Sequence, residues 1–409
     1  MGKTALIMSD KFKKYNFGKF HPLKPERVLL TWELIKGLGL HERENCVVAE
    51  PVMAKDDQIG ILHDKDYIEF IKKVTREQQQ QQKISDKTIV EGLKYNLGPG
   101  DNPIFPFMHE GSAIVVGGTM VAINTVFEDN GITKAFNAAG GLHHAMAGQA
   151  SGFCIYNDPA IGILSLLEKH DNDDLRVMYI DVDAHHGDGV QAAFYDNPNV
   201  LTVSIHESGK YLFPGTGFPD EIGVDAGEGY SINVPLPPFT FDDTYLDILD
   251  ELLPDLVKAF SPDLIVSQNG VDTHCLDPLT NLGLTTRGHK GIFQRINDLS
   301  NKYCHGKLVA IGGGGYNLSV VPRSWTMLFA ELLGVLDELP EEIPKDLLES
   351  LNITAANEPI PKLFVDPTDC KEIKTRRTSY KFLEAQELYV QEISFKIKQD
   401  ILPLIQGRK

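Results

Sequence analysis

Cysteine is scarce in this 409-residue chain. The five present, Cys46, Cys154, Cys275, Cys304 and Cys370, are scattered and never spaced as CxxC. That argues against a disulfide framework and a cysteine-based zinc site, and it suits a reducing cytoplasm. Unbroken apolar runs of roughly 18 residues, the length a membrane span requires, are also missing. The stretch Met1 to Lys14 carries Lys3, Asp10, Lys11, Lys13 and Lys14 without a long apolar core, so it does not read as a secretory signal. Basic residues are outnumbered: 39 Lys and Arg against 57 Asp and Glu leave a formal charge of −18. A phosphate-tracking surface needs the opposite sign, which disfavours nucleic acid as a partner. An acidic surface steers basic partners such as lysine-bearing peptides, although the same charge can serve solubility alone. There is no internal repeat and no Gly/Ser/Pro-rich linker to mark a boundary. One low-complexity tract, Gln78 to Gln82, reads as a solvated loop or a helix end.

What the chain does have is a series of short apolar runs, each ending in polar or glycine residues. Ala135-Phe136 leads into Asn137, Val177 to Ile180 into Asp181, and Val200 to Ile205 into His206. Leu264 to Val266 leads into Ser267, and Leu308 to Ile311 into Gly312. Runs this short, β-branched and closed by a turn, predict buried strands. Longer amphipathic stretches lie between them. In Phe241 to Phe260, Tyr245, Ile248, Leu249, Leu252 and Leu253 recur at helical spacing. Strands alternating with helices predict an α/β fold: a mostly parallel sheet with helices on both faces, as a single three-layer αβα domain. The unusual polar residues fall just after the strands' carboxyl ends, the edge where such sheets bind ligands.

The strongest of these positions is Asp181-Val182-Asp183-Ala184-His185-His186-Gly187-Asp188. On an extended chain, residues i and i+2 point to the same side, so Asp183 and His185 aim at one point with Asp181 in line behind them. An oxygen and nitrogen donor set of this kind suits zinc or ferrous iron. A catalytic site wants three protein ligands and an open position, and Asp272 is the best candidate for the third. The alternative for Asp272 is a helix cap.

Gly140-Gly141 precedes His143-His144. Metal-assisted hydrolysis needs a base for the water and an acid for the leaving amine. Two adjacent histidines divide those tasks only if their environments separate their pKa values. Asp181 and Asp188 are the spare acids that could do so; a surface His pair is the competing reading. Gly312 to Gly315 lets backbone approach a ligand, and Tyr316 could donate to an oxyanion, or simply pack. Gly152-Phe153 and Phe213 could sandwich a lysine stem, though each Phe alone reads as core.

At these residues the chain resembles the arginase/deacetylase superfamily, specifically class I-like histone deacetylases of the bacterial and archaeal acetoin-utilisation branch. The resemblance runs from about His21 to Trp325. It covers His21 to Pro25, Gly141 to Ala145, Gly152 to Asp158, Asp181 to Gly189, Phe213 to Gly217, Gly270 to Asp272 and Gly312 to Tyr316. It implies the arginase/deacetylase fold with about eight strands. The catalytic domain is expected over 1–340, and the acidic, then mixed stretch over 341–409 reads as a helical extension packed on it. It implies zinc, or ferrous iron, on Asp183, His185 and Asp272, with His143 paired to Asp181 and His144 to Asp188. His144 would be general base, His143 an electrostatic partner, and Tyr316 would polarise the acetyl carbonyl. Gly152, Phe153 and Phe213 would line the acetyl-lysine tunnel, Asp101 would grip the substrate backbone, and Arg27 would line an acetate channel. Potassium is implied near Asp181, Asp183, His185, Ser204 and Ile205, with a second ion near Phe194, Asn197, Val200 and Tyr230.

Two departures matter. Leu142 stands where eukaryotic class I enzymes have tryptophan. Leu279 stands where acetylpolyamine-preferring relatives have a glutamate, and an apolar residue offers no counter-charge to a polyamine. The implied reaction is hydrolysis of N6-acetyl-lysine in a protein or peptide, acetylated acetyl-CoA synthetase being the analogy, in the cytoplasm and with oligomeric state open. The alternatives are an acetylpolyamine or other small-amide deacetylase, a dinuclear-manganese ureohydrolase, and a catalytically silent acyl-lysine binding module.

Overall fold

Eight runs of aliphatic and β-branched residues form the strands of one sheet. They are β1 Lys3–Ile7, β2 Cys46–Ala49, β3 Ile132–Asn137, β4 Val177–Asp181, β5 Val200–Glu207, β6 Ser231–Leu236, β7 Leu264–Gln268 and β8 Leu308–Ile311. The computed structural model describes residues 2–80, 84–128, 130–170, 174–355, 358–367 and 380–406, the side chains within the last range from 388 to 405. The strand order is β2-β1-β3-β8-β7-β4-β5-β6, and every neighbouring pair is parallel. Every residue of β4 to β8 is buried, as expected for parallel strands covered on both faces.

The five runs picked out from sequence are all strands. β8 has the expected bounds and the other four run longer: β3 starts at Ile132 and includes Asn137, β4 includes Asp181, β5 continues through His206 to Glu207, and β7 continues to Gln268. Three strands, β1, β2 and β6, were not among those runs. The predicted helix is Asp242–Phe260, with Phe241 just before it.

Helices Met108–Phe127 and Asp158–Lys169 pack on each other, the first also on β1, β3 and β8. Met108–Phe127 is long and apolar enough to cross a membrane, but most of it is buried inside the protein. Helices Glu26–Gly37, Val321–Leu333, Thr286–Tyr303 and Asp242–Phe260 pack successively in a second row. Of the later helices, Lys345–Ala355 lies on Glu26–Gly37, and Tyr380–Lys396 reaches Asp242–Phe260 and β6.

The glutamine tract begins at the end of helix Lys65–Gln79, and Gln81 and Gln82 lie outside the described residues. Cys46, Cys154 and Cys304 are free thiols, whereas Cys275 is disulfide-bonded, a bridge that the scattered spacing did not announce. The reason is geometric: bridging depends on the approach of Cα atoms in the fold, which sequence spacing does not report. Cys370 lies outside the described residues.

Candidate metal centre and histidine pair

Because the sheet is wholly parallel, the carboxyl ends of β3, β8, β7, β4 and β5 lie along one edge, in that order. Four of them deliver candidate residues there: His143-His144 after β3, Gly312–Tyr316 after β8, Asp272 after β7, and Asp183 and His185 after β4. Register sharpens the placement, since Asp181 pairs with Ser204 on one side and Gln268 on the other.

The structure brings Asp183, His185 and Asp272 together. One donor atom from each lies within 4.8 Å of the others, and all three residues are buried. His185 Nδ1 is 3.0 Å from Asp183 Oδ1 and 2.9 Å from Asp272 Oδ2. A single ring N–H cannot serve two carboxylates fully, and the three facing donor atoms surround a point that a cation could share. The remaining oxygens are held by the frame. Asp183 Oδ2 accepts from Gln268 Nε2 at 2.7 Å and from the Gly314 N–H at 2.6 Å, and Asp272 Oδ1 accepts from the Ala184 N–H at 2.8 Å. A Cβ on Gly314 would collide with Asp272 Oδ2, and one on Gly270 with Asp183 Oδ2, so both positions require glycine. Burial, then the neighbouring Asp183 charge, pushes Asp272 up to about 6. Burial also opposes charge on His185, but the two carboxylates outweigh it and raise the imidazole well above its ordinary value. Two buried acids crowded on one imidazole, with no Lys or Arg bonded to them among the described residues, form a donor set that fits a divalent cation.

His143 and His144 sit beside this cluster. His143 Nδ1 donates to Asp181 Oδ2 at 2.8 Å, an oxygen that also accepts from the Tyr179 hydroxyl at 2.8 Å. His144 Nδ1 donates to Asp188 Oδ1 at 2.7 Å. The Nε2 atoms of the two rings are 3.1 Å apart, so one carries a proton toward the other. Burial works against a charge on His143, but the Asp181 and Asp183 carboxylates lift it to about 9. Burial, followed by the His143 charge, presses His144 down to about 4. The two environments therefore pull the two imidazoles in opposite directions, the separation that divided acid–base work demands.

A histone deacetylase domain matches residues 21–332. The chain belongs to the histone deacetylase family. It is 42% identical over 347 residues to the acetoin utilization protein AcuC of Bacillus subtilis (strain 168), spanning 85% of this chain and 86% of the relative. It is 41% identical to AcuC of Staphylococcus aureus (strain MRSA252), spanning 81% and 82%. Among solved structures, a histone deacetylase homologue from Aquifex aeolicus superposes with a TM-score of 0.79 at 32% identity, covering 97% of this chain and all of that one. A homologue solved in complex with SAHA gives 0.78 at 32% identity, covering 95% and 99%. The fold is that of these homologues, and the chain is a hydrolytic deacetylase acting on an acetylated substrate.

The deacetylase's other candidate residues are placed as follows. Gly152, in the left-handed region at φ 49°, packs so closely on His144 and Phe213 that a Cβ would collide with both. The Phe213 ring meets the His144 ring edge-on at 5.0 Å, and Phe153 meets Tyr316 at 5.6 Å. Tyr316 is half-buried, and burial, then Asp272 and Asp183, holds its hydroxyl well above the ordinary value, so it remains a donor. Asp101 is exposed, and its carbonyl accepts from His21, whose ring packs on Phe153 at 4.5 Å. Leu279 is half-buried, its N–H bonded to Asp277. Buried Arg27 donates to the carbonyls of Gly313 at 2.6 Å and Gly315 at 3.2 Å, over the Trp325 ring, and shares a small cavity with Leu142. Ser204 Oγ is 2.9 Å from His206 Nδ1, and the Tyr245 hydroxyl donates to the Ile205 carbonyl at 3.1 Å. In the second candidate ion position, the Phe194 and Asn197 carbonyls accept from the Asn197 and Val200 N–H groups, and the Tyr230 carbonyl from Thr202.

Sequence reasoning assigned no role to the supports. Asp158 accepts from the Gly141 and Leu142 N–H groups and the Thr119 hydroxyl, pinning the turn before the histidines. Asn157 Nδ2 donates to the His143 and Ala145 carbonyls beyond them. Asp277 accepts the Tyr316 N–H at 2.8 Å.

Proposed function

We propose that this deacetylase hydrolyses the acetyl amide of N6-acetyl-lysine in proteins or peptides, using one zinc or ferrous ion held by Asp183, His185 and Asp272. The observation that carries this reading is the convergence of those three donors beside a histidine pair, each ring hydrogen-bonded to its own carboxylate. When bound, the divalent ion supplies Lewis acidity toward the amide carbonyl and acidifies water. His144, neutral and fixed in tautomer by Asp188, accepts the proton of the attacking water. His143 keeps its charge through Asp181 and holds its neighbour's basicity low enough for the proton to be passed on. Tyr316 donates its hydroxyl to the oxyanion that forms on the acetyl carbon. A histidine then returns a proton to the lysine amine, and acetate leaves. In the same reading Gly152, Phe153 and Phe213 flank the lysine stem, Asp101 takes the substrate backbone, and Arg27 faces the departing acetate. Potassium bound near Asp181, Asp183, His185, Ser204 and Ile205 would stiffen the β4 and β5 ends. Residues 341–409 form an extension of the one catalytic domain.

Leu279 favours a protein substrate over a polyamine, because it offers an ammonium no counter-charge. The test is turnover by metal-stripped enzyme, reloaded with zinc, ferrous iron or manganese, on an acetyl-lysine peptide, an acetylpolyamine and arginine. Peptide turnover restored by one equivalent of zinc or iron supports the reading. Preference for the polyamine, dependence on two manganese ions for arginine, or no turnover on any substrate would replace it with the corresponding alternative.

A further inference from the structure

Two carboxylates on residues 358–367 reach the loops that carry the site, from beyond the stretch matched by the histone deacetylase domain. Asp366 Oδ2 accepts from His274 Nε2 at 2.8 Å and from the Thr286 N–H and hydroxyl at 3.0 and 2.9 Å. Its Oδ1 accepts from the buried Arg323 guanidinium at 2.9 Å. His274 stands between Asp272 and Asp277, and its Nδ1 accepts the Leu276 N–H. Glu358 Oε2 accepts the N–H of Leu318, just past Tyr316, at 2.8 Å, while Oε1 pairs with Lys24 at 2.5 Å. The segment is itself anchored. Lys362 O accepts from the Ile343 N–H, and Asn352 brackets Ile360 with two hydrogen bonds.

The Asp272 loop and the Tyr316 loop are thus joined to each other through Asp277 and are each tied separately to the same outer segment. Carboxylates accepting from cationic side chains and backbone amides make strong, directional bonds. Loops that must hold donors to within about half an ångström depend on such supports. Resting on the deacetylase reading of the site, we propose that residues 358–366 form a clamp whose Asp366–His274 and Glu358–Leu318 contacts position Asp272 and Tyr316 for turnover. Neither carboxylate is bonded to the donor cluster or the histidine pair; both are positioning residues.

Full-length, metal-loaded enzyme provides the test. His274→Leu cuts the Asp366 tie without stranding Arg323, and Glu358→Ala cuts the Leu318 tie. Leu351→Ala is the control, a buried residue of the same extension on the helix that packs against Glu26–Gly37. Each is assayed for kcat and KM on an acetyl-lysine peptide, for melting temperature, and for the rate at which a chelator removes the metal. Both clamp variants should lose about ten-fold or more in kcat with KM nearly unchanged, the effect of small misplacement. His274→Leu should also release metal faster, and Glu358→Gln, which keeps an acceptor oxygen, should recover most of the kcat. Leu351→Ala should lower the melting temperature and leave kcat alone. Wild-type kcat in both clamp variants, or a loss in all three that tracks melting temperature, overturns the clamp. If the wild type fails on the peptide while binding metal, the functional reading falls, and metal release from His274→Leu still decides the clamp.

Discussion

Two carboxylate–histidine clusters, the second only partly buried at its carboxylate, lie two residues apart in the chain, at Asp272 and His274, and they differ in the source of their positive charge. In the second, Asp366 meets His274 and the buried guanidinium of Arg323. Burial resists the Asp366 charge, but His274 and Arg323 overcome it and hold the carboxyl far below its usual range. That cluster carries its own cation. In the first, Asp183 and Asp272 press on His185, and burial with mutual repulsion drives Asp272 upward. Both clusters spend desolvation energy. The permanent charge of Arg323 holds the one carboxylate of its cluster ionised, whereas the single His185 imidazole serves two carboxylates and leaves Asp272 raised. A divalent ion from solution would make good that shortfall, which separates a structural site from a candidate catalytic one.

Removing that cation should break the comparison most severely. Chelation, or Asp272→Ala, is expected to cost about 10³-fold or more in turnover, since Lewis-acid stabilisation is worth several kcal/mol. The circular dichroism spectrum should persist, because the Asp366 cluster is untouched. Asp366→Asn attacks the other side. It leaves Arg323 without its counter-charge, and unfolding by denaturant should show a loss of about 3–5 kcal/mol. Tyr316→Phe should reduce kcat about 10²–10³-fold while metal content, measured by elemental analysis, stays at the wild-type level.

The smallest expected effects are in pH. His144 must be unprotonated and His143 protonated, so kcat/KM should rise as pH passes the His144 pKa and fall as it passes that of His143. Without metal these lie near 4 and 9, and a bound cation lowers both. Because the His143 charge depresses His144, His143→Ala should move the acid limb to higher pH. For stability, the depressed Asp366 contributes fully above its unfolded value near 4 and loses that contribution as pH falls further. A melting-temperature series at decreasing pH should steepen there in wild type and flatten in Asp366→Asn.

Much of the fold and the donor set could be read in the chain because strand ends announce themselves. Val177–Ile180 followed by three aspartates and two histidines has few other physical explanations, and a parallel sheet gathers such ends along one edge. The outer strands were harder. β2 is short and only partly buried, and β6 contains Pro235, which weakens a strand reading. The supports were hidden for another reason. Asp158 has the sequence context of an ordinary first-turn helix acid, and only tertiary structure turns it back onto Gly141. Gln268 reaches Asp183 because β7 pairs with β4 in a register that sequence does not state. Asp366 and Glu358 act across forty residues or more, with no local signature to mark them.

The account is tested most directly by anomalous diffraction at the zinc and iron edges from crystals of the metal-loaded enzyme. One peak per chain, bonded to Asp183, His185 Nδ1 and Asp272 and absent from Asp272→Ala, is the predicted result. Density at that point without a metal signal, or two peaks sharing the site, would contradict it.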